Sequence, residues 1–227
     1  MKTVAIILAG GSGKRFSKEK VKQFVKIKGR PLLSYTIEKF QLSPYIDEIS
    51  IVSSKATFQD VKNIIESGKY TKVKHIIEGG TERFNSVYNA LEKYKTSCVK
   101  IFIHDGVRPL ISEKIIKKCF ETLDKVKACV VVVPTVDTIY EVKDGIIKNI
   151  PDRNMLYHAQ TPQCFYSDII CEAYNLAMEN KDKSFFDDVG VLKKYFPNID
   201  IKMVEGEYEN IKLTYKKDLL YFNALLK

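Results

Sequence analysis

Three glycines and two cations stand together in Leu8-Ala9-Gly10-Gly11-Ser12-Gly13-Lys14-Arg15, and Lys22 follows seven residues after Arg15. Glycines let backbone N–H groups approach a phosphate closely, and cations offset its charge, so this segment is suited to holding a polyphosphate. Two familiar phosphate motifs fail here. A P-loop needs Gly where Leu8 stands and Ser or Thr where Arg15 stands. A dinucleotide fingerprint that starts at Gly11 needs its third small residue where Phe16 stands. A tight turn after a strand accounts for one or two glycines, but not for three with Lys14, Arg15 and Lys22 beside them. Anion binding is the reading.

Other residues fit the same chemistry. Arg108 and Arg153 carry planar guanidinium groups that can donate two parallel hydrogen bonds to one phosphate. Asp105 follows the apolar run 101–103, at the strand end where an α/β sheet places its ligands, although Asp also favours turns and helix caps. Ser86, at the start of a helical pattern, is of a type that caps a helix with its hydroxyl.

The elements that must position these groups are legible as periodic patterns. Val4-Ala5-Ile6-Ile7-Leu8 is a short β-branched run of the kind buried on both faces of a parallel sheet, and similar runs lie at 49–52, 99–103 and 129–133. Helical patterns at 32–40, 58–67, 86–94 and 113–126 separate them. Such alternation predicts right-handed βαβ units and a doubly wound, Rossmann-like α/β sheet in one domain over 1–227. Residues 138–150 break the alternation, with two short strands around Asp144-Gly145, a pair that tolerates positive φ. This projecting β-hairpin is expected to pack on its own sheet or on a second subunit. A polar stretch follows it, then a helix over 168–178, a strand over 201–204 and a last helix from Lys216.

Composition narrows the alternatives. The 227 residues are 45% apolar and 29% charged, which are globular proportions. No apolar run approaches the roughly 20 residues needed to cross a bilayer, and the first apolar stretch runs into glycines and charges rather than a cleavage site. A cytoplasmic protein with no membrane partner is expected. The net charge is +9, but its lysines are interspersed with acids, so a solvated surface is favoured over a nucleic-acid partner. Cys98, Cys119, Cys129, Cys164 and Cys171 contain no Cys-x-x-Cys, which argues for reduced thiols and against a zinc site.

The segment Leu-Ala-Gly-Gly-x-Gly-x-Arg with Lys22-Gln23-Phe24 resembles the signature of sugar- and polyol-phosphate nucleotidyltransferases. The resemblance continues through Gly79-Gly80-Thr81-Glu82-Arg83-Phe84-Asn85-Ser86-Val87, His104-Asp105-Gly106-Val107-Arg108-Pro109, Val136-Asp137-Thr138, Gln160-Thr161-Pro162-Gln163 and Glu209-Asn210-Ile211-Lys212-Leu213-Thr214. In that order they resemble the cytidylyltransferases of methylerythritol phosphate and ribitol 5-phosphate.

That resemblance implies transfer of CMP from CTP to a polyol phosphate, with Mg2+ as cofactor. It implies that Arg15, Lys22 and Lys212 are the catalytic cations. Leu8, Ala9, Gly10, Gly11, Gly13, Gly79, Gly80, Ser86 and Asp105 would bind CTP, with Asp105 near the metal. Gly106, Arg108, Arg153 and Thr161 would bind the polyol phosphate, together with Thr138 contributed by the partner of a two-fold dimer. His158 reads as structural because an ionised phosphate needs no base, and Tyr140 and Tyr157 read as packing residues. Val21 stands where the family often has Pro, and 199–202 resembles part of a small insertion. Phe186 stands where the family commonly has a polyol-contacting threonine, in Phe186-Asp187-Asp188. On balance the motifs lean to the ribitol 5-phosphate branch, with the methylerythritol 4-phosphate branch as the alternative. A hexose-1-phosphate nucleotidyltransferase shares the glycine loop but not the Gln160–Gln163 or Glu209–Thr214 segments, and a non-catalytic nucleotide- or RNA-binding module is the rival of another class.

Overall fold

The computed structural model describes residues 1–11, 16 and 21–226. The chain opens with β1 (Lys2–Leu8), a small ribbon of β2 (Lys26–Ile27) and β3 (Arg30–Pro31), and α1 (Leu32–Leu42). Then come β4 (Glu48–Ser53), α2 (Phe58–Gly68), β5 (Val73–Glu78), α3 (Arg83–Leu91), β6 (Val99–Asp105), α4 (Glu113–Leu123) and β7 (Ala128–Pro134). After the hairpin of β8 (Glu141–Lys143) and β9 (Ile146–Asn149) follow β10 (Tyr157–Tyr166), α5 (Ser167–Glu179), α6 (Asp188–Tyr195), β11 (Ile201–Glu205) and α7 (Asp218–Leu225).

Seven strands form one sheet in the order β11-β7-β10-β6-β1-β4-β5. The strands are parallel except β10, which runs antiparallel between β6 and β7. The β-branched runs behave as their pattern predicts. Ala5 and Ile7 of β1 pack with residues of α1, α2 and α4, while Val4 and Ile6 pack with residues of α3, α5 and α6. Both faces of the sheet are therefore covered, and the carboxyl ends of β1 and β6 open toward the glycine loop.

Two strands and a helix correct the sequence reading. β5 was not expected between the second and third helical patterns, α6 was not expected after residue 187, and the polar stretch after the hairpin is β10, a central strand. Its pattern hid it because Gln160, Thr161 and Gln163 are polar yet buried. Pro162, which cannot donate to a ladder, falls where the register with β7 shifts between Ala159 and Gln163.

The fold also gathers thiols that sequence spacing kept apart. The sulfurs of Cys119 on α4, Cys129 on β7 and Cys164 on β10 lie within 4.8 Å of one another. All three are fully buried among aliphatic side chains, where free cysteine packs as a small apolar residue.

The hairpin stands apart from the main sheet. Asp144 and Gly145 both take positive φ, as the tight turn requires, and every residue from 136 to 150 is exposed. Tyr140 and Tyr157, expected to pack, are exposed too, because the arm and its root carry them away from the core. Among the described residues no helix is long and apolar enough to cross a membrane.

Candidate functional site

At the carboxyl end of β1, the Ala9 N–H donates to Val52 O at 2.7 Å, which continues the pairing with β4 up to the start of the glycine loop. Gln23, in the 3-10 turn 22–24, donates its amide to Ala9 O at 3.0 Å and Gly11 O at 2.9 Å. Gln23 thereby holds the base of the loop, a role its place beside Lys22 did not reveal. Lys22 is buried and donates to Leu213 O at 2.8 Å. Gly13 and Arg15 lie outside the described residues.

Across from this loop, α3 starts at Arg83 with Glu82 as its N-cap, so Ser86 is not the capping residue. Its hydroxyl accepts the Gly80 N–H at 3.1 Å instead. A Cβ on Gly79 would meet that hydroxyl at 2.9 Å, which explains the glycine there by close approach. Gly106 is set by the same logic, since a Cβ would stand 2.9 Å from Leu8 O.

These elements enclose a cavity of about 340 Å³. Leu8, Gly10, Gly11 and Lys22 line one side, Gly80, Arg83 and Ser86 another, and Asp105 and Lys212 the floor. A second cavity, of about 250 Å³, is lined by Arg83, Asp105, Arg108, Thr161, Gln163, Phe186 and Lys212 among others. Ala9, Gly79 and Gly106 lie behind the lining and shape it. Thr138 and Arg153 line neither cavity. Arg153, grouped in the sequence with its own chain's pocket, is exposed at the root of the arm, where it donates to Val136 O at 3.1 Å. His158, read as structural, is exposed on β10 and also lines neither cavity.

Asp105 is the electrostatic centre. Its Oδ2 accepts from Lys212 Nζ at 3.0 Å and from Arg108 Nε at 3.2 Å. Burial alone would raise its pKa, but Lys212, Arg108 and Arg83 together hold it well below the usual carboxylate range. The cations are seated by a polar interlock that joins two of the sequence motifs. Asn210, fully buried, donates to Gln160 Oε1 at 3.0 Å and to Thr161 O at 2.9 Å. Arg108 donates to Asn210 O at 2.7 Å, and the Leu213 N–H to Val107 O at 2.9 Å. Phe222 of α7 and Leu213 share a small core that closes this segment from behind.

Thr161 is used internally. Its hydroxyl accepts the Asp105 N–H at 3.1 Å and lies 3.0 Å from His104 Nδ1. His104 Nε2 must donate to Arg108 O at 3.1 Å, because a carbonyl only accepts, so Nδ1 accepts the Thr161 proton. Burial pushes the His104 pKa down to about 4. Its ordinary value is about 6.5, so between these pH values the unfolded chain binds a proton that the native chain refuses. The resulting stability is fully present above pH 6.5 and is lost as pH falls toward 4, a loss of about 3 kcal/mol. His104→Gln, which keeps a donor and an acceptor but does not titrate, is expected to lose correspondingly less stability between pH 7.5 and 4.5 in urea unfolding. Identical pH dependence in both proteins would contradict this.

Comparison with known proteins agrees with the geometry. The profile of the family described as IspD, 2-C-methyl-D-erythritol 4-phosphate cytidylyltransferase, matches residues 3–227. The enzyme of that name from Lachnospira eligens is 40% identical over 225 residues, covering 98% of both chains. That of Clostridium acetobutylicum is 38% identical over 225 residues, covering 98% of this chain and 96% of its own. The crystal structure of 4-diphosphocytidyl-2C-methyl-D-erythritol synthase from Anaerococcus prevotii superposes with a TM-score of 0.86 at 31% identity, over 99% of this chain and 96% of that one. The matches carry the methylerythritol name rather than the ribitol name toward which the motifs leaned. With a profile matched over almost its full length and relatives at this identity, the chain belongs to the IspD family of cytidylyltransferases.

Proposed function

We propose that this protein transfers CMP from CTP to 2-C-methyl-D-erythritol 4-phosphate. The observation that carries the reading is the meeting of two cavities at Asp105 and Lys212, one behind the glycine loop and one lined by Arg108 and Thr161. CTP fits the first, with its triphosphate against the glycine loop and Lys22. The polyol phosphate fits the second, its phosphate toward Arg108 and Lys212. An oxygen of that phosphate bonds to the α-phosphorus, the bond from this phosphorus to the bridging oxygen breaks in line, and the electron pair leaves on pyrophosphate. Both partners are anions, so the work of the protein is positioning and charge neutralisation. Lys22 and Lys212 are tied together, since the Lys22 ammonium donates to Leu213 O, next to Lys212 in the chain.

Asp105 is the carboxylate common to both cavities, and Glu82 also lines the first. One or two carboxylates suit Mg2+ that is carried largely by substrate phosphates, so the residues present fit that ion at Asp105. Bound with CTP, it would screen phosphate charge.

The Phe186 substitution, which favoured a different polyol, has a milder meaning in three dimensions. Phe186 is fully exposed at the rim of the second cavity, so it leaves the polar interior formed by Arg108, Thr161 and Gln163 in place. With CTP and a panel of polyol phosphates, methylerythritol 4-phosphate is expected to be turned over at least tenfold more efficiently than ribitol 5-phosphate or glycerol 3-phosphate. Preference for ribitol 5-phosphate would refute the substrate assignment.

The arm completes the reading. Val142, Ile146, Ile147 and Ile150 are each more than half exposed, at 60, 59, 52 and 59%. Such a ribbon requires cover, and reciprocal burial against a second copy gives the closed two-fold contact expected of a homodimer. Thr138 and Arg153 would then serve the partner's polyol-phosphate cavity. CTP is a cytoplasmic metabolite, so the cytoplasm is the compartment this reading requires.

A further inference from the structure

Among the described residues, Arg83, Asp105 and Lys212 line both cavities. The phosphorus under attack must lie where the nucleotide and the attacking phosphate meet, so residues shared by the two cavities border the reacting atoms. Asp105 and Lys212 are already placed there by motif. Arg83 is the third, and the family motif that contains it gave it no role.

The surroundings of Arg83 hold it in a fixed pose. Its terminal nitrogens donate to Asp188 Oδ1 at 2.8 Å and Oδ2 at 2.6 Å, a two-point fork. Asp188 is fully buried, while the Arg83 side chain retains 30% exposure. The carboxylate is itself clamped. Tyr174 donates its hydroxyl to Oδ1 at 2.6 Å, and the Asp188 N–H donates to Gln163 Oε1 at 2.9 Å. Gln163 also donates to Asp187 Oδ2 at 2.8 Å, and Asp187 caps α6 by accepting the Gly190 N–H at 2.8 Å. Elements α3, β10, α5 and α6 thus converge on one ion pair.

A guanidinium has five N–H donors, and the fork consumes two. Among the described residues no protein acceptor takes the other three. A buried ion pair whose only task was stability would be matched or bettered by apolar side chains of the same volume. Here the cation is the member left open, and it opens onto both cavities.

We propose that Arg83 is a further cation of the transfer step, donating to non-bridging phosphate oxygens at the junction of the two cavities. Asp188 is its positioning residue. The proposal rests on the cytidylyl-transfer reading but not on which polyol is the substrate, because the α-phosphorus of CTP is common to every candidate.

The test must separate lost charge from lost fold. Arg83→Gln alone strands Asp188 unpaired in the interior, so the informative variant is Arg83→Gln with Asp188→Asn, which removes both charges and keeps a polar pair in their place. Turnover should fall about 100-fold, in the range seen when one preorganised donor to a developing charge is lost, while the melting temperature and the calorimetric Kd for CTP stay close to wild type. Arg83→Lys, which keeps a point charge without the fork, should recover part of that loss. Turnover of the double variant within threefold of wild type would overturn the proposal. So would a loss that tracks a lowered melting temperature, or Arg83→Lys no more active than the neutral pair. Wild type that prefers ribitol 5-phosphate would refute the substrate assignment alone, and the Arg83 comparison would then be made on that polyol.

Discussion

Lys22→Ala is expected to lower kcat by about 10²–10³ and to change the Kd for CTP by less than about threefold. The asymmetry follows from where the ammonium sits. Lys22 leaves the glycine loop in a 3-10 turn, is buried, and donates to Leu213 O at 2.8 Å beside Lys212. A cation fixed in that way needs no reorganisation when negative charge builds on the α-phosphate and the departing pyrophosphate. On the proposed reading it would stabilise the transition state more than the ground state, so its loss would appear in kcat. The tether introduces a second possible cause, because Lys22→Ala also frees the segment that carries Lys212. Lys22→Gln keeps an N–H donor for Leu213 O and removes the charge, and it should be nearly as slow as Lys22→Ala. Steady-state kinetics with calorimetric CTP binding checks both variants. A raised KM at unchanged kcat would assign Lys22 to ground-state binding, and a near-normal Lys22→Gln would assign the effect to the tether.

What could be read in the sequence divides along physical lines. β1, β4, β6 and β7 were legible because strands covered on both faces must be apolar throughout, and the turn residues of the hairpin announce positive φ. β10 was illegible for the opposite reason. It is a central strand that buries Gln160, Thr161 and Gln163 ahead of its two core residues Cys164 and Phe165, and hydrophobic periodicity cannot detect a strand that spends half of its interior positions on a polar network. β5 sits at the sheet edge with its residues half-buried or exposed, so it lacks the apolar signature of its neighbours. The cavity residues Lys22, Ser86, Asp105, Arg108 and Lys212 were found through the motifs that contain them. The residues that brace them, Gln23, His104 and Asn210, were not singled out, and neither was the Arg83–Asp188 pair. Their partners lie up to 105 residues away in the chain, and no local spacing reports such a pairing.

Mixing inactive Arg153→Ala chains with inactive Lys22→Ala chains is expected to restore activity to about a quarter of wild type, provided subunits exchange freely. The figure comes from the geometry. Arg153 is exposed and bonded to Val136 O at the root of an arm that is itself exposed along 136–150, while Lys22 lines the cavity behind the glycine loop of its own chain. If the arm delivers Arg153 to the neighbour, each active centre combines Lys22 of one chain with Arg153 of the other. A hybrid dimer then holds one centre with both defects and one with neither. Random exchange makes about half of the dimers hybrid, and half of their centres are intact, which gives the quarter. An Arg153 that served its own chain would leave every centre in the mixture with one defect, and mixing would restore nothing. Sedimentation should give a mass near twice 26.1 kDa for wild type and both variants. Val142→Asp with Ile147→Asp, placed on the apolar arm, should yield a folded monomer without activity. A fully active monomer, or a mixture that stays inactive although tagged subunits are shown to exchange, would place the polyol-phosphate site within a single chain.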